Sequence, residues 1–405
     1  MATTAPAIMD PCNDVDKLSY EIFNILEANF LFGYDAPKLL LSGSSPVKAP
    51  YLRGVYPGKV SILSLEAVDD CLPAAACLAR LESSLRHRSG EPTARIADFF
   101  DAATGSGAGG ILAAMLFSRG LHGRPLFSAE EALCFLAKNG GSPPPSTTRR
   151  KGLFCGMFRR PGGRLFRRLF GDATLRDTVK PLLIPCFDLS TAAPFLFSRA
   201  DALESDGYNF LIREVCAATC AGKSVVEIKS VDGRTSISAV GGAVAMANPT
   251  SAAITHVLHN KQEFPFAAGV RDLHVFTIAG ADAGSSGRSS PSTAALLQIA
   301  GNGMADTVDQ AIAMAFSQNG IQTGNYVRIQ AHSFSNKIST RDEKEMMTMV
   351  EEMLSQKNIE SVLFQGKRLS QETSIEKMEQ FCNELIKEHE KRKTSLIPTV
   401  IVKKA

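Results

Sequence analysis

The sequence predicts an α/β protein: a central, mostly parallel sheet flanked by helices, with helical extensions at both ends of the chain. Three observations carry this. Short apolar runs recur along the chain, helical patterns separate them, and one run passes into its helix through a cluster of glycines. The runs are continuously apolar rather than alternating, as strands covered on both faces are.

Taken in order, "DVDKLSYEIFNILEANFLF" sets Val15, Leu18, Ile22, Leu26 and Phe30 three or four residues apart, which makes one apolar helix face. The Pro- and Ser-bearing stretch 43–57 reads as a connector. "KVSILSLE" is a short buried strand, and "LPAAACLARLESSLRH" a helix that opens near Pro73. "ADFFDAA" reads as a second strand, followed by the glycine turn and a helix over 109–119. "PLLIPCFDL" is a third strand, "SVVEIKS" a weaker one, "NPTSAAITHVLHN" a helix and "LHVFTIAG" another buried strand. Thr373 and Glu376 have capping-box spacing ahead of Met378, Phe381, Cys382 and Leu385, in a helix that ends in the charged run "KEHEKRK". These readings divide the chain into an N-terminal helix and linker (1–57), a core domain (58–262) and a C-terminal part (263–405) that completes the core and ends in a helical tail.

Composition narrows the function. The 405 residues are 44% hydrophobic and 21% charged with a net charge of +3, which suits an ordinary globular chain and argues against nucleic acid as a partner. Nine scattered cysteines, with no C-x-x-C and no zinc-ligand spacing, point to a reducing compartment. The start "MATTAPAIMDPCNDVD" has no basic, long-apolar leader, and no uncharged apolar run approaches the roughly 18 residues of a membrane span. A cytoplasmic protein that touches membranes only peripherally is expected.

One insertion, 141–171, is locally basic. Arg149, Arg150, Lys151, Arg159, Arg160, Arg164, Arg167 and Arg168 fall in a span without an acidic residue, interleaved with Phe154, Phe158, Leu165, Phe166, Leu169 and Phe170. It reads either as a solvated loop or as a patch for anionic lipid headgroups. In the second case each cation would contribute about 1 kcal/mol, with the aromatics dipping into the interface.

The glycine turn is "FFDAATGSGAGG", 99–110. A hydrolase nucleophile turn reads Gly-x-Ser-x-Gly; here Gly105 and Gly109 are in place and the middle residue is Gly107. The same letters satisfy the dinucleotide fingerprint G-x-G-x-x-G, but no acidic residue closes a second strand about 20 positions on. His256 and His259, three apart on a helix, have no third ligand in view and read as surface histidines, so neither a metal nor a cofactor is expected. Cys216 and Cys220 read as packing residues beside Leu211, Ile212 and Val215.

"FFDAATGSGAGGILAAML" resembles the nucleophile turn of patatin-like phospholipases, and "VGGAVAMANPTSAAITHVL" resembles their second motif, an Asp-Gly-Gly leading into Asn-Pro. "DVDKLSYEIFNILEANFLFGYDAPKLL", "FGDATLRDTVKPLLIPCFDLSTAAPFLFSRADA" and "REVCAATCA" are similar to the plant group III branch, which carries Gly-x-Gly-x-Gly at the turn. The resemblance covers most of residues 14–390. It implies a lipid acyl hydrolase fold with a Ser–Asp dyad, acting on membrane phospholipids or galactolipids without a cofactor. Carried onto this chain, the nucleophile position is Gly107 and the acid position Val240, with Gly110, Gly241 and Gly242 keeping the turns. The oxyanion stretch reads "LEAVDDCLPAAA", with Glu66, Asp69 and Asp70 and no glycine, and its carboxylates are expected to repel an oxyanion. Losing a nucleophile or its base costs a serine protease roughly 10⁶-fold in rate, about 8 kcal/mol. Ser106 is the natural surrogate, although its hydroxyl is expected to support the turn through a local backbone hydrogen bond. Two functions follow: a weak lipid acyl hydrolase, or a pseudoenzyme that binds lipid or a partner.

Overall fold

The computed structural model describes residues 58–66, 71–139, 164–221, 225–281, 292–318, 324–332, 343–362, 365–395 and 397–403. The N-terminal helix and connector read from the sequence, and most of the basic insertion, lie outside these residues.

Eight strands form one mixed, mostly parallel sheet. They are β1 (Val60–Glu66), β2 (Ala102–Gly105), β3 (Leu182–Asp188), β4 (Ala193–Ser198), β5 (Val226–Lys229), β6 (Ser236–Val240), β7 (Leu273–Ala281) and β8 (Tyr326–His332). Their order is β5-β6-β3-β2-β1-β7-β8, with β4 also paired to β3. The pairs β1–β2, β1–β7, β2–β3 and β7–β8 are parallel. The pairs β3–β4, β3–β6 and β5–β6 are antiparallel. All seven residues of β1 are buried, as its continuous apolar run requires of a central strand.

Helices cover both faces. Side chains alternate along a strand, so Leu63 and Leu65 of β1 and Phe276 and Ile278 of β7 share one core. That core is filled by α1 (Leu72–Ser89), α2 (Ala108–Phe117), α3 (Ala129–Asn139) and α10 (Ser374–Thr394). Ile62, Leu183 and Val275 point to the other core, under α7 (Thr250–His259) and α8 (Thr293–Gln318). All ten residues of α2 are buried, so the helix behind the glycine turn is apolar on every side. Thr373 caps α10 as its spacing predicts: its hydroxyl accepts from the Glu376 amide while Glu376 accepts from the Thr373 amide. A separate antiparallel pair, β9 (Lys357–Val362) and β10 (Gly366–Thr373), follows α9 (Glu343–Leu354).

Three readings need correction. "ADFFDAA" is not one strand: Ile96–Phe99 is a helical turn and β2 begins only at Ala102. Two aspartates cause the break, Asp98 accepting from the Arg95 amide at 2.8 Å and Asp101 from the Ser61 amide at 2.8 Å. The helix read over 109–119 stops at Phe117, because Ser118 and Arg119 form bridges to Thr178 and Pro125. In the basic insertion, Phe166, Leu169 and Phe170 on α4 (Arg164–Phe170) are buried in the main core rather than free to enter a lipid interface. They stand at i, i+3 and i+4, an inward helix face, while Arg167 and Arg168 point outward. Arg149, Arg150, Lys151, Arg159 and Arg160 lie outside the described residues.

Candidate functional site

The glycine turn joins β2 to α2. It is held to the end of β1 by the Ser106 amide, which donates to the Leu65 carbonyl at 3.2 Å. A Cβ at Gly105 would stand 2.4 Å from the Gly109 carbonyl oxygen, so the turn closes only on glycine there. At its apex Gly107 has φ 58 and ψ −127, outside the conformations side-chain-bearing residues favour. The Gly107 amide donates to Thr219 Oγ1 at 3.0 Å.

Thr219 is the last residue of α6 (Ile212–Thr219) and is buried. The second glycine motif meets it too. Val240 ends β6 opposite Phe187 of β3, and the chain then turns through Gly241 and Gly242. A Cβ on Gly241 would stand 2.3 Å from the Ala221 carbonyl oxygen. One on Gly242 would stand 2.3 Å from the Pro185 carbonyl and 2.4 Å from Thr219 Oγ1. One hydroxyl therefore lies between the two turns that the sequence separates by more than a hundred residues. Sequence reasoning passed over Thr219, and nothing local in "REVCAATCA" marks it.

Ser106 is wholly buried, and its hydroxyl donates to the Ala247 carbonyl at 3.2 Å. This is a backbone hydrogen bond, but one to a distant residue rather than a local one. It ties the turn to the loop beyond the glycine pair. That loop, Ala245 to Asn248, forms one wall of a cavity of about 470 Å³. The other walls are Ser251, Thr255 and His256 of α7, Met304 and Val308 of α8, and Leu196 of β4. Asn248 fixes the loop, its Oδ1 accepting from the Thr250 amide at 3.0 Å and its Nδ2 donating to the Ala305 carbonyl at 3.2 Å. The volume is within the range of about 300–1,000 Å³ of clefts that take small apolar ligands.

The two helix histidines differ. His259 is exposed, with Nδ1 2.9 Å from the Thr255 carbonyl. His256, read as a surface residue, instead lines the cavity with Nε2 buried and without a hydrogen-bond partner. Burial lowers its pKa to about 4, so the ring is neutral at pH 7. Among the described residues no group of three His, Cys, Asp or Glu side chains could hold a metal ion. Cys216 and Cys220 are buried in or near the main core.

Glu66 does not act as the free carboxylate the sequence suggested. It is buried, and Arg328 of β8 donates to it at 2.7 Å. Burial pushes the Glu66 pKa up and Arg328 opposes the shift. Arg328 also faces Asp309 at 3.5 Å and Asp306 at 3.6 Å, and although burial works against its charge, the Glu66 and Asp309 carboxylates hold it charged. Thr250 at the start of α7 completes the cluster, donating to Ser64 at 2.8 Å. Asp69 and Asp70 lie outside the described residues. Among the basic candidates, Arg167 and Arg168 are exposed on α4, and Arg164 opens the same helix. No helix among the described residues is long and apolar enough to cross a membrane.

The arrangement offers an apolar cleft beside a turn whose apex residue has no side chain, and it can hold an apolar ligand without supplying a nucleophile at Gly107. No protein-family model matches the chain. Among curated proteins, it is 50% identical over 394 residues to patatin-like protein 3 of Oryza sativa subsp. indica, covering 93% of this chain and 92% of that one. It is 44% identical over 451 residues to patatin-like protein 6 of Arabidopsis thaliana, covering 99% and 90%. It is 37% identical over 395 residues to an Arabidopsis protein called probable inactive patatin-like protein 9, covering 92% and 93%.

Proposed function

The chain belongs to the patatin-like protein family, and from that premise we propose that it binds membrane lipid in its cleft with weak or absent acyl-ester hydrolysis. In the group III reading of the glycine turn, Gly107 stands at the nucleophile position and Val240 at the acid position. Neither residue can carry out its step. Hydrolysis of a fatty-acyl ester needs a hydroxyl at the turn to attack the carbonyl, a base to take its proton, and amides to hold the oxyanion. Glycine offers no oxygen and valine accepts no proton. The stretch after β1 has no glycine with which to shape an amide-lined pocket.

The observation that carries this reading is the apex of the turn. Gly107 keeps a positive φ, its amide is held by Thr219, and the turn is fastened to the cavity wall through Ser106. Ser106 itself is occupied and buried, which disfavours it as a substitute nucleophile. That a relative 37% identical is called probable inactive agrees with this reading. The ligand class proposed, phospholipid or galactolipid, is the one the patatin resemblance implies, and an apolar cavity suits an acyl chain. The basic residues of 149–168 remain candidates for anionic headgroups, without help from Phe166, Leu169 and Phe170, which are buried in the core.

Fatty-acid release from phosphatidylcholine and from a galactolipid tests the proposal on wild type, Ser106→Ala and the Gly107→Ser, Val240→Asp variant. Wild type is expected at or only slightly above the protein-free rate, with the double variant equal to or above wild type. Robust wild-type turnover would overturn the proposal, and its loss in Ser106→Ala would identify the substitute.

A further inference from the structure

We propose that the first half of α8, with the start of β10, is a docking surface for an anionic lipid membrane at the mouth of the cleft. Residues 296–300 of α8 are all exposed. Five consecutive residues turn through more than a full circle of an α-helix, so no side of this turn is packed against the described residues. Yet the turn holds Leu296, Leu297 and Ile299, with Leu297 72% exposed. From Ser292 to Ala305 there is no charged side chain. Apart from Gln298 the turn is apolar, and in water it exposes a contiguous patch of a kind that folded chains ordinarily cover.

The patch runs into the cavity. Met304 is 52% exposed and also lines the cavity, so one side chain belongs to both surfaces. The charges that follow on α8 are already engaged: Asp309 is buried, and Asp306 faces Arg328 and Lys367. At the edge the charge changes sign. Lys367 Nζ lies 3.3 Å from Asp306, which places the start of β10 beside α8 two residues beyond Met304. Arg368 is 70% exposed and reaches Glu360 only at 4.0 Å. Apolar side chains with Lys367 and Arg368 on the neighbouring strand, both exposed although each is paired to a carboxylate at the surface, complement a bilayer whose acyl region lies beneath anionic phosphates. With α8 seated in this way, a lipid tail leaving the bilayer would enter the cavity past Met304.

This surface rests on the lipid reading of the cleft, and it is distinct from the basic stretch 149–168. Vesicle flotation of the full chain tests it, using phosphatidylcholine vesicles with and without phosphatidylglycerol. The Leu296→Ser, Leu297→Ser, Ile299→Ser variant should lose binding to both by at least about tenfold. Lys367→Glu with Arg368→Glu should remove the preference for anionic vesicles and leave binding to neutral ones. The substituted residues are exposed, and an unchanged thermal unfolding curve confirms that both variants fold. A water-soluble fluorescent fatty acid measures the cavity separately and should bind wild type and both variants alike. Vesicle binding unchanged in the triple variant overturns the docking surface, whatever the cavity does. So does a wild-type dimer that the triple variant dissociates in the absence of lipid, which would make a second copy the occupant. Vesicle docking without fatty-acid binding supports the surface and counts against the lipid reading of the cleft.

Discussion

Replacing Gly107 by alanine should destabilise the protein more than the same change at Gly90, although both glycines have positive φ. Gly90 ends α1 at φ 69, ψ 14, close to the left-handed helical basin near φ +57, ψ +47. Gly107, at φ 58, ψ −127, is far from that basin in ψ. A side-chain-bearing residue costs roughly 1–2 kcal/mol in the left-handed helical conformation. In the sparsely populated regions that glycine alone uses freely, the cost runs up to about 3 kcal/mol. Either alanine also stiffens the unfolded chain, a gain of about 0.4–1 kcal/mol that cancels when the two variants are compared. A Cβ at Gly90 would meet nothing within 4 Å, so that site reports conformation alone. The difference between the variants should be about 1 kcal/mol, or roughly 2 °C in Tm for a domain of this size. Thermal unfolding by near-UV circular dichroism and urea midpoints, measured side by side, would show it. If Gly107→Ala is as stable as Gly90→Ala, the apex backbone is not strained, and the nucleophile-turn geometry described for Gly107 is wrong.

Two other outcomes follow from buried charge. Arg199, the wholly buried first residue of α5 (Arg199–Glu204), pairs with Glu263 at 3.2 Å and donates to the Lys403 carbonyl at 2.5 Å. Arg199→Met should cost about 3–5 kcal/mol because it strands a buried carboxylate, and adding Glu263→Gln should recover much of the loss in urea unfolding. His274 is wholly buried with Nε2 3.1 Å from Lys59 Nζ, and burial first, then the Lys59 charge, lowers its pKa to about 4. The unfolded chain takes that proton near pH 6.5, so it binds more protons than the folded chain between those values. Stability should therefore be complete above about pH 6.5 and fall as the pH drops towards 4. His274→Gln keeps an acceptor for Lys59 and should flatten the change in urea midpoint between pH 7 and pH 5; an unaltered slope would assign the acid sensitivity to other groups.

Much of the fold could be read from local pattern. The continuous apolar runs of β1, β3 and β7, the Pro73 helix start and the Thr373–Glu376 cap each declare themselves within a few residues. What escaped depends on pairs far apart in the chain. Glu66 read as a repelling carboxylate because its partner, Arg328, lies 262 residues away on a strand whose sequence, "YVRIQAH", places a cation where an apolar residue would mark the core. Thr219 is ordinary in sequence and becomes central only when α6 is packed between two glycine turns. The burial of Phe166, Leu169 and Phe170 was within reach, since "RLFRRLF" has helical spacing; the density of arginines hid it. The apolar turn at 296–300 has no strand or helix periodicity to draw the eye, and its meaning appears only with the cavity beside it.

The central claim, a lipid held but not cut, is tested most directly by recovering the bound lipid itself. The full chain would be incubated with isotope-labelled phosphatidylcholine, separated from free lipid and extracted for mass spectrometry. Intact labelled phospholipid in an amount comparable to the protein, with lysophospholipid no higher than in a protein-free control, is the expected result. Lysophospholipid and free fatty acid accumulating well beyond the amount of protein would contradict it.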